Sequence, residues 1–160
     1  MQDLAEKITK IGQQLQGKGW TLGTAESCTG GLVAHCITNL SGSSAFFLGG
    51  VISYANQIKR DLLGVPEEVL LVHGAVSQEV ALAMAQGIRR LIGVDVGVSV
   101  TGIAGPLGGT AIKPVGTVYI AVASPLGQRV IHRQWQADRL GNKELSALAA
   151  LDLVVEHLAG

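Results

Sequence analysis

Two segments of the chain each place a run of apolar, β-rich residues directly before a turn rich in glycine. Residues 20–25 lead into the turn at 26–31, and residues 94–100, with Val at every second position, lead into the turn at 101–106. A helical pattern follows the first turn, which gives the order strand, glycine-rich turn, helix. In open α/β sheets, ligands bind beyond the carboxyl ends of the strands. The two turns therefore predict one shared pocket.

The remaining apolar spacing alternates between helix and strand and ends in a hairpin. Ser77 is predicted to cap one helix and Gly93 to close it, and Gly49–Gly50 predicts a bend or bulge. The order predicts an α/β fold, a single-domain three-layer α/β/α sandwich with a mixed, mainly parallel sheet, over residues 1–160. The predicted helices lie at 4–15, 32–40, 56–63, just after Pro66, at 80–91 and at 145–158, and the strands at 20–25, 46–55, 94–100, 116–124 and 129–136.

The composition argues against several classes of function. Lys plus Arg equals Asp plus Glu at 12 each, and these charges are dispersed, whereas nucleic-acid binding needs a basic stripe. The apolar runs are far shorter than the about 20 residues that cross a bilayer, and residues 1–12 lack the apolar centre of a secretory signal. We therefore expect a cytoplasmic protein that binds neither nucleic acid nor membrane. Cys28, Cys36 and the four histidines lack metal-ligand spacing, so no metal or cofactor is expected.

The two glycine-rich turns contain candidate binding groups. Gly30 and Gly31 stand at the start of a helix, where free backbone N–H groups bind a phosphate or a developing oxyanion. Thr101 would hydrogen-bond a ligand, while Gly102 and Gly105 would let the ligand approach the backbone. For either turn alone, a purely structural role of the glycines is an equally good interpretation.

Two serines are candidate nucleophiles. Ser27 lies where a strand gives way to a helix and Ser44 lies at the start of a strand, although for a serine taken alone a helix cap or a turn hydrogen bond is the simpler explanation. No histidine lies in these loops, so the base would be Lys59, with a pKa lowered by burial, helped by Tyr54 as a proton relay. The alternative for Lys59 is a solvated surface lysine. Arg139 would hold a phosphate through two hydrogen bonds or form a surface ion pair.

Six segments in a fixed order give the chain a specific resemblance to a known family. They are 24–31 (TAESCTGG), 42–44 (GSS), 54–59 (YANQIK), 73–77 (HGAVS), 101–106 (TGIAGP) and 113–116 (KPVG). Together they resemble the C-terminal domain of the competence- and damage-inducible CinA proteins, a domain that also exists as a stand-alone nicotinamide-nucleotide amidase. The resemblance covers nearly the whole chain.

The resemblance implies hydrolysis of the carboxamide of nicotinamide mononucleotide, giving nicotinate mononucleotide and ammonia for pyridine-nucleotide salvage. It implies a small-molecule nucleotide as substrate and no metal. Ser44 is the preferred nucleophile, with Lys59 as base, which leaves Ser27 and the turn that follows it, including Thr29, to bind substrate or the oxyanion. Compact α/β domains of this size often assemble symmetrically, so we also expect a homo-oligomer. By position, the functional residues of the family are Ser27, Ser44, Tyr54, Lys59, Thr101 and Arg139.

The chain departs from the family pattern in a loop and before the last helix. Leu107 and residues 111–112 are apolar where the family loop is usually polar, and residues 136–137 replace an expected glycine. The nucleotide-processing domain of longer CinA proteins is not in this sequence, so we expect one activity. The alternative function is a non-catalytic nucleotide-binding or interaction domain that keeps the pocket without hydrolysis.

Overall fold

The computed structural model describes the chain from Gln2 to Gly160; Met1, which the predicted domain includes, lies outside these residues. Within residues 2–160 no helix combines the length and the apolar character that a bilayer crossing requires. The strands are β1 (Leu22–Glu26), β2 (Phe47–Ile52), β3 (Val96–Gly102), β4 (Thr117–Ser124) and β5 (Gly127–Gln134). The helices are α1 (Gln2–Lys18), α2 (Leu32–Thr38), α3 (Asn56–Asp61), α4 (Glu67–His73), α5 (Gln78–Ile92) and α6 (Arg139–Ala159), and a 3₁₀ turn lies at Ser43–Ala45.

The strands form one mixed sheet in the order β2-β1-β3-β4-β5. β1 lies parallel to both β2 and β3, whereas β4 runs antiparallel to both of its neighbours, so four of the five strands point the same way. The predicted α/β class with a mixed, mainly parallel sheet is confirmed. Because β1, β2 and β3 are parallel, their carboxyl ends lie along one edge of the sheet.

Strand alternation gives the sheet two faces of different character. Val96, Val98 and Val100 point to one side and pack against the apolar faces of α1, α2 and α6. Gly97 and Ser99 point to the other side, where α5 packs closely and the Ser99 hydroxyl donates a hydrogen bond to the backbone of α5. Helices therefore cover both faces, as a three-layer sandwich requires.

Several glycine and cap assignments from the sequence hold in the structure. Ser77 Oγ accepts a hydrogen bond at 3.2 Å from the N–H of Val80, in the first turn of α5, and Gly93 ends that helix with a φ of 68°. The register of β2 shifts at Gly49, which confirms the predicted bulge. Gly17 lies inside α1, and Gly19, with a φ of 68°, follows the helix. A residue in the left-handed region closes a helix, and Gly17 does not adopt that conformation.

Gly97 allows α5 to pack closely against the sheet, and a substitution there tests this contact. A Cβ at Gly97 would meet the carbonyl oxygen of Ala85 and lie 2.8 Å from the side chain of Ile88. We expect Gly97→Ala to lower the free energy of unfolding by about 1–3 kcal/mol, because α5 must move away. Gly17→Ala is the matched control: a Cβ there meets nothing within 4 Å, so this exposed helical site should gain about 0.5–1 kcal/mol. Urea unfolding measures both, and equal stabilities would contradict the prediction.

Candidate functional site

The carboxyl ends of β1 and β3 open into a cavity of about 190 Å³. Ser27 directly follows β1, and its N–H donates to the Val100 carbonyl of β3 at 2.9 Å, so the two strand ends are joined at the cavity. The two glycine-rich segments thus meet at one site, and α3, the loop before α5 and the start of α6 complete it. The cavity is lined by Ser27, Cys28, Tyr54, Asn56, Lys59, Ala75, Val76, Thr101, Gly102, Ala104 and Arg139.

Lys59 is buried directly beside Ser27. Its side chain comes from α3, which turns back beneath the end of β1, and the residue is only 1% exposed. The Nζ atom lies 3.0 Å from Ser27 Oγ and donates hydrogen bonds to the carbonyl oxygens of Ser53 at 2.7 Å and Tyr54 at 3.3 Å.

The surroundings of Lys59 weaken its charged form. Among residues 2–160, no carboxylate forms an ion pair with Lys59. Burial lowers the pKa of Lys59 from 10.5 to about 8, and the nearby Cys28 opposes this only weakly. The alternative of a solvated surface lysine is therefore wrong. A buried amine whose pKa approaches neutrality can accept a proton from the neighbouring hydroxyl.

Ser44 lies at the opposite edge of the sheet from Lys59. It is exposed in the 3₁₀ turn before β2, and β2 begins beside Leu22, at the amino end of β1. Lys59 lies beyond the carboxyl end of β2, and a six-residue strand spans roughly 16 Å. The expected pairing of Ser44 with Lys59 is therefore wrong, and Ser27 occupies the position that Ser44 was expected to fill.

Tyr54 and Arg139 meet at the mouth of the cavity. The Tyr54 side chain is 63% exposed, and its hydroxyl accepts a hydrogen bond from Arg139 Nη2 at 3.2 Å. Arg139 Nη1 donates to the Gly105 carbonyl at 2.7 Å. The Tyr54 hydroxyl thus faces Arg139, and only the Tyr54 carbonyl contacts Lys59, so the structure does not support Tyr54 as a proton relay.

The structure also bears on the alternative that Arg139 forms a surface ion pair. Asp138 caps α6 by accepting the N–H of Gly141 at 2.8 Å, and within residues 2–160 no ion pair involves Arg139.

The turn after β1 does not present a free helix N-terminus. The side chain of Glu26, 1% exposed, accepts hydrogen bonds from Thr29 Oγ1 at 2.7 Å and from two N–H groups in the first turn of α2 at 2.8 and 3.1 Å. Thr29 is thereby turned away from the cavity. Gly30 and Gly31 line a separate groove between α2 and α6. Gly30 and Gly31 therefore do not line the cavity, and the Glu26 side chain accepts the N–H groups of Val33 and Ala34 in the first turn of α2.

The second glycine-rich turn shapes the cavity wall. Thr101 lies at the cavity, but its hydroxyl donates to the Ala75 carbonyl at 2.8 Å, so this donor holds the loop before α5. A Cβ on Gly102 would lie 3.1 Å from Cys28 Sγ, so a larger residue would crowd the cavity. Gly105 has a φ of 87° and serves as the acceptor for Arg139. Of these three residues, Thr101 and Gly102 line the cavity, whereas Gly105 orients the arginine at its mouth.

Four further residues contribute to the site without a role predicted from the sequence. Glu26 and Ser53 supply buried hydrogen bonds, and Cys28 and Asn56 line the cavity. The one available signal was Glu26, an acidic residue at the end of an otherwise uncharged strand. No group of three or more His, Cys, Asp or Glu side chains in the described chain has the arrangement of a metal site.

The fold and the cavity define the class: a three-layer α/β domain with a buried serine–lysine pair at the carboxyl edge of its sheet. A family model described as the CinA C-terminal domain matches residues 4–158, and the chain belongs to this family.

The relatives and solved structures agree with this assignment. CinA-like proteins of Desulfotalea psychrophila and Chloroherpeton thalassium are 53% identical over 148 residues and 52% identical over 152 residues; each match covers 92% of this chain and 36% of the relative. The chain thus spans about a third of their length. The crystal structure of competence/damage inducible protein CihA from Agrobacterium tumefaciens matches with a TM-score of 0.93 and 38% identity, over 97% of this chain and 95% of that one. A CinA superfamily protein from Klebsiella pneumoniae matches with a TM-score of 0.92 and 33% identity, over 98% of each chain.

Cys28 lines the cavity beside Ser27 and provides a test of the burial of the site. Burial raises the pKa of the Cys28 thiol from 9.0 to about 12. Because only the thiolate is nucleophilic, we expect iodoacetamide at pH 8 to leave Cys28 unmodified in the folded protein. Unfolding in urea should expose both Cys28 and Cys36 to complete alkylation, which serves as the control. Rapid native labelling of Cys28, located by peptide mass spectrometry, would contradict the buried geometry.

Proposed function

We propose that this chain is an amidase that hydrolyses the carboxamide of nicotinamide mononucleotide, with Ser27 as nucleophile and Lys59 as general base. The observation that carries the proposal is the 3.0 Å separation of Lys59 Nζ and Ser27 Oγ in a buried site. The reaction class follows from this pair, since a serine needs an adjacent base to attack an amide. The nucleotide substrate comes from the resemblance to the amidases of the family.

Two backbone carbonyl groups orient the amine of Lys59, and burial, which lowers its pKa, is what favours the neutral, proton-accepting form. A neutral amine has two N–H donors and one lone pair, whereas an ammonium has three donors. The carbonyls of Ser53 and Tyr54 take two donors. The lone pair of the neutral form then faces Ser27 Oγ, which can donate its proton to Nζ. Two fixed acceptors thus orient the base toward the nucleophile.

The reaction then proceeds in two stages. Ser27 Oγ attacks the carboxamide carbon as its proton passes to Lys59, and an O–C bond forms. The protonated Lys59 returns that proton to the leaving nitrogen, the C–N bond breaks and ammonia departs. Water, deprotonated by the again neutral Lys59, attacks the acyl ester, and its cleavage releases the carboxylate and restores the Ser27 hydroxyl. One water is consumed for each ammonia released.

The developing oxyanion needs N–H donors close to Ser27. The N–H groups of Cys28 and Thr29 follow Ser27 in the turn, and neither donates to another residue within residues 2–160. The Gly30 N–H, by contrast, already donates to the Ser27 carbonyl at 3.1 Å. We therefore assign the oxyanion to the first two N–H groups of the turn, where preorganised donors stabilise charge in the transition state.

The size of the cavity suits part of the substrate. Its volume of about 190 Å³ is below the roughly 300–1,000 Å³ of pockets that enclose a drug-sized ligand. It fits the pyridine ring with its carboxamide, while the ribose phosphate would lie outside, at the exposed Arg139. The guanidinium suits a phosphate, to which it can make two charge-assisted hydrogen bonds. Leu107 and Ile112, which depart from the family pattern, are exposed and do not line the cavity.

A purely binding domain explains the site less well. A pKa lowered from 10.5 to about 8 means that folding is destabilised by about 3 kcal/mol at pH 7, because the folded state disfavours the charged amine. This penalty is largest below pH 8 and disappears as the pH rises through 10.5. This cost in stability has no evident purpose in a pocket that only binds a nucleotide, whereas a general base requires an amine that is neutral near physiological pH.

The ammonia released from nicotinamide mononucleotide tests the proposal directly. Wild-type protein should release ammonia without added metal, and Ser27→Ala and Lys59→Met should each lower kcat/KM by about 10³-fold or more, since each removes one half of the nucleophile–base pair. Ser44→Ala is the matched control and should stay within twofold of wild type. Full activity of Ser27→Ala, or loss of activity with a chelator, would contradict the serine mechanism.

The pH dependence tests the role of Lys59 separately. Because the base must be neutral, kcat/KM should rise about tenfold per pH unit below the pKa of about 8 and level off above it. The initial rate of ammonia release between pH 6 and pH 9.5 gives this profile. A flat profile over that range would mean that Lys59 is not the base.

A further inference from the structure

The side chain of Glu26 has no part in the chemical steps above, yet it is one of the most buried polar groups in the chain. It is 1% exposed and directly precedes Ser27. We propose that Glu26 is a positioning residue that sets the distance between Ser27 Oγ and Lys59 Nζ, an inference that rests on the proposed function. Two sets of hydrogen bonds support it, one from the side chain of Glu26 and one from its backbone.

The side chain of Glu26 fixes the turn that carries Ser27. It accepts hydrogen bonds from Thr29 Oγ1 at 2.7 Å and from the backbone N–H groups of Val33 at 2.8 Å and Ala34 at 3.1 Å. The turn after Ser27 is thereby tied at one end to β1 and at the other to α2. Hydrogen bonds to a carboxylate are about twice as strong as neutral ones, so these bonds hold the turn that follows Ser27 firmly in place.

The backbone of Glu26 fixes the position of Lys59 through Ser53. The Glu26 carbonyl accepts the N–H of Ser53 at 2.8 Å, and the Ser53 carbonyl accepts a hydrogen bond from Lys59 Nζ at 2.7 Å. Nucleophile and base, 32 residues apart in the chain, are therefore both positioned relative to one residue. A displacement at Glu26 moves Ser27 with respect to Lys59.

The way α2 is capped argues that Glu26 does more than stabilise a helix. The N-cap residue of α2 is Gly31, with a φ of 99° and no side-chain hydrogen bond. A helix that needs only a cap is served by Ser, Thr, Asp or Asn at that position. Here the acceptor comes instead from the end of β1, which connects the helix to the strand across the turn that holds Ser27.

Glu26→Gln tests the inference because it preserves size and shape. Glutamine replaces one acceptor oxygen with an NH₂ group, which must face a Thr29, Val33 or Ala34 donor and cannot accept from it. The turn then shifts, and a misplacement of about 1 Å at reacting atoms costs about 10²-fold in rate. Glu68→Gln, at an exposed site on α4 outside the cavity, is the matched control.

The measurement is the rate at which an alkyl fluorophosphonate labels Ser27, followed by intact mass. Ser27 Oγ attacks phosphorus, an O–P bond forms, fluoride leaves and the serine proton passes to Lys59, so the rate reports activation without any amide substrate. We expect labelling of Glu26→Gln to be about 10²-fold slower than wild type well below its unfolding temperature. Glu68→Gln should label at the wild-type rate.

The pH profile of labelling separates positioning from other effects. Burial lowers the pKa of Lys59, the neighbouring Cys28 opposes this, and Glu26 is not among the causes, so the limb near pH 8 should stay in place in Glu26→Gln while the plateau falls. A limb displaced by a full pH unit would make Glu26 an electrostatic group and would overturn the inference. A residue that only stabilises the fold would lower the unfolding temperature and leave the labelling rate of folded protein unchanged.

A second variant covers the case in which Glu26→Gln does not fold. Thr29→Val removes one of the three hydrogen bonds to Glu26 and keeps the carboxylate, and we expect it to label about tenfold more slowly than wild type.

Wild-type labelling rates for the folded variants would overturn the role of Glu26 and leave the proposed function standing. Wild-type protein that labels at Ser27 but does not hydrolyse nicotinamide mononucleotide would refute the substrate alone. Absence of label at Ser27 in wild type would refute the nucleophile, and the inference with it.

Discussion

The burial of one amine without a carboxylate partner is the constraint on which the site depends. Within residues 2–160, the hydrogen-bond partners of Lys59 Nζ are two backbone carbonyl oxygens and Ser27 Oγ. A carboxylate in their place would stabilise the ammonium and hold the pKa high, whereas carbonyl dipoles hold the amine without fixing its charge. The carboxyl ends of the strands must therefore supply backbone carbonyl groups, rather than acidic side chains, as hydrogen-bond acceptors for the amine. Ser53 and Tyr54, which follow β2, do so.

The carboxyl ends of the strands also keep the negative charge of Glu26 away from the Ser27–Lys59 pair. The only carboxylate that the described chain buries at this edge is Glu26, and its oxygens point into the first turn of α2. Its charge is balanced there by the helix N-terminus and by Thr29. The residues that line the cavity include no carboxylate. The uncharged carboxamide of the proposed substrate suits such a lining, and its phosphate would be held by Arg139 at the mouth.

The fold was predictable from the sequence because its elements are local and strongly periodic. The alternating valines of β3 and the cap at Ser77 are signals contained within a few residues. The choice between Ser27 and Ser44 is different, because both flank a strand and match the family. One physical argument was available: Ser27 follows a strand and Ser44 precedes one, and in parallel strands these ends lie at opposite edges. The contacts of Glu26 had no such signal, since the sequence does not say which donors a buried carboxylate meets.

In the proposed mechanism, the residues that would recognise the substrate are separate from those that would activate it. Arg139 and the exposed Tyr54 hydroxyl lie at the mouth, and their contacts to each other involve no residue of the Ser27–Lys59 pair. A phosphate bound there contributes equally before and during the reaction, which affects affinity more than turnover. The hydrogen bonds that orient Lys59 lie deeper in the cavity and hold the proposed base beside Ser27. Under the proposed mechanism, a change at Arg139 would therefore affect substrate binding while the buried Ser27–Lys59 pair keeps its hydrogen bonds.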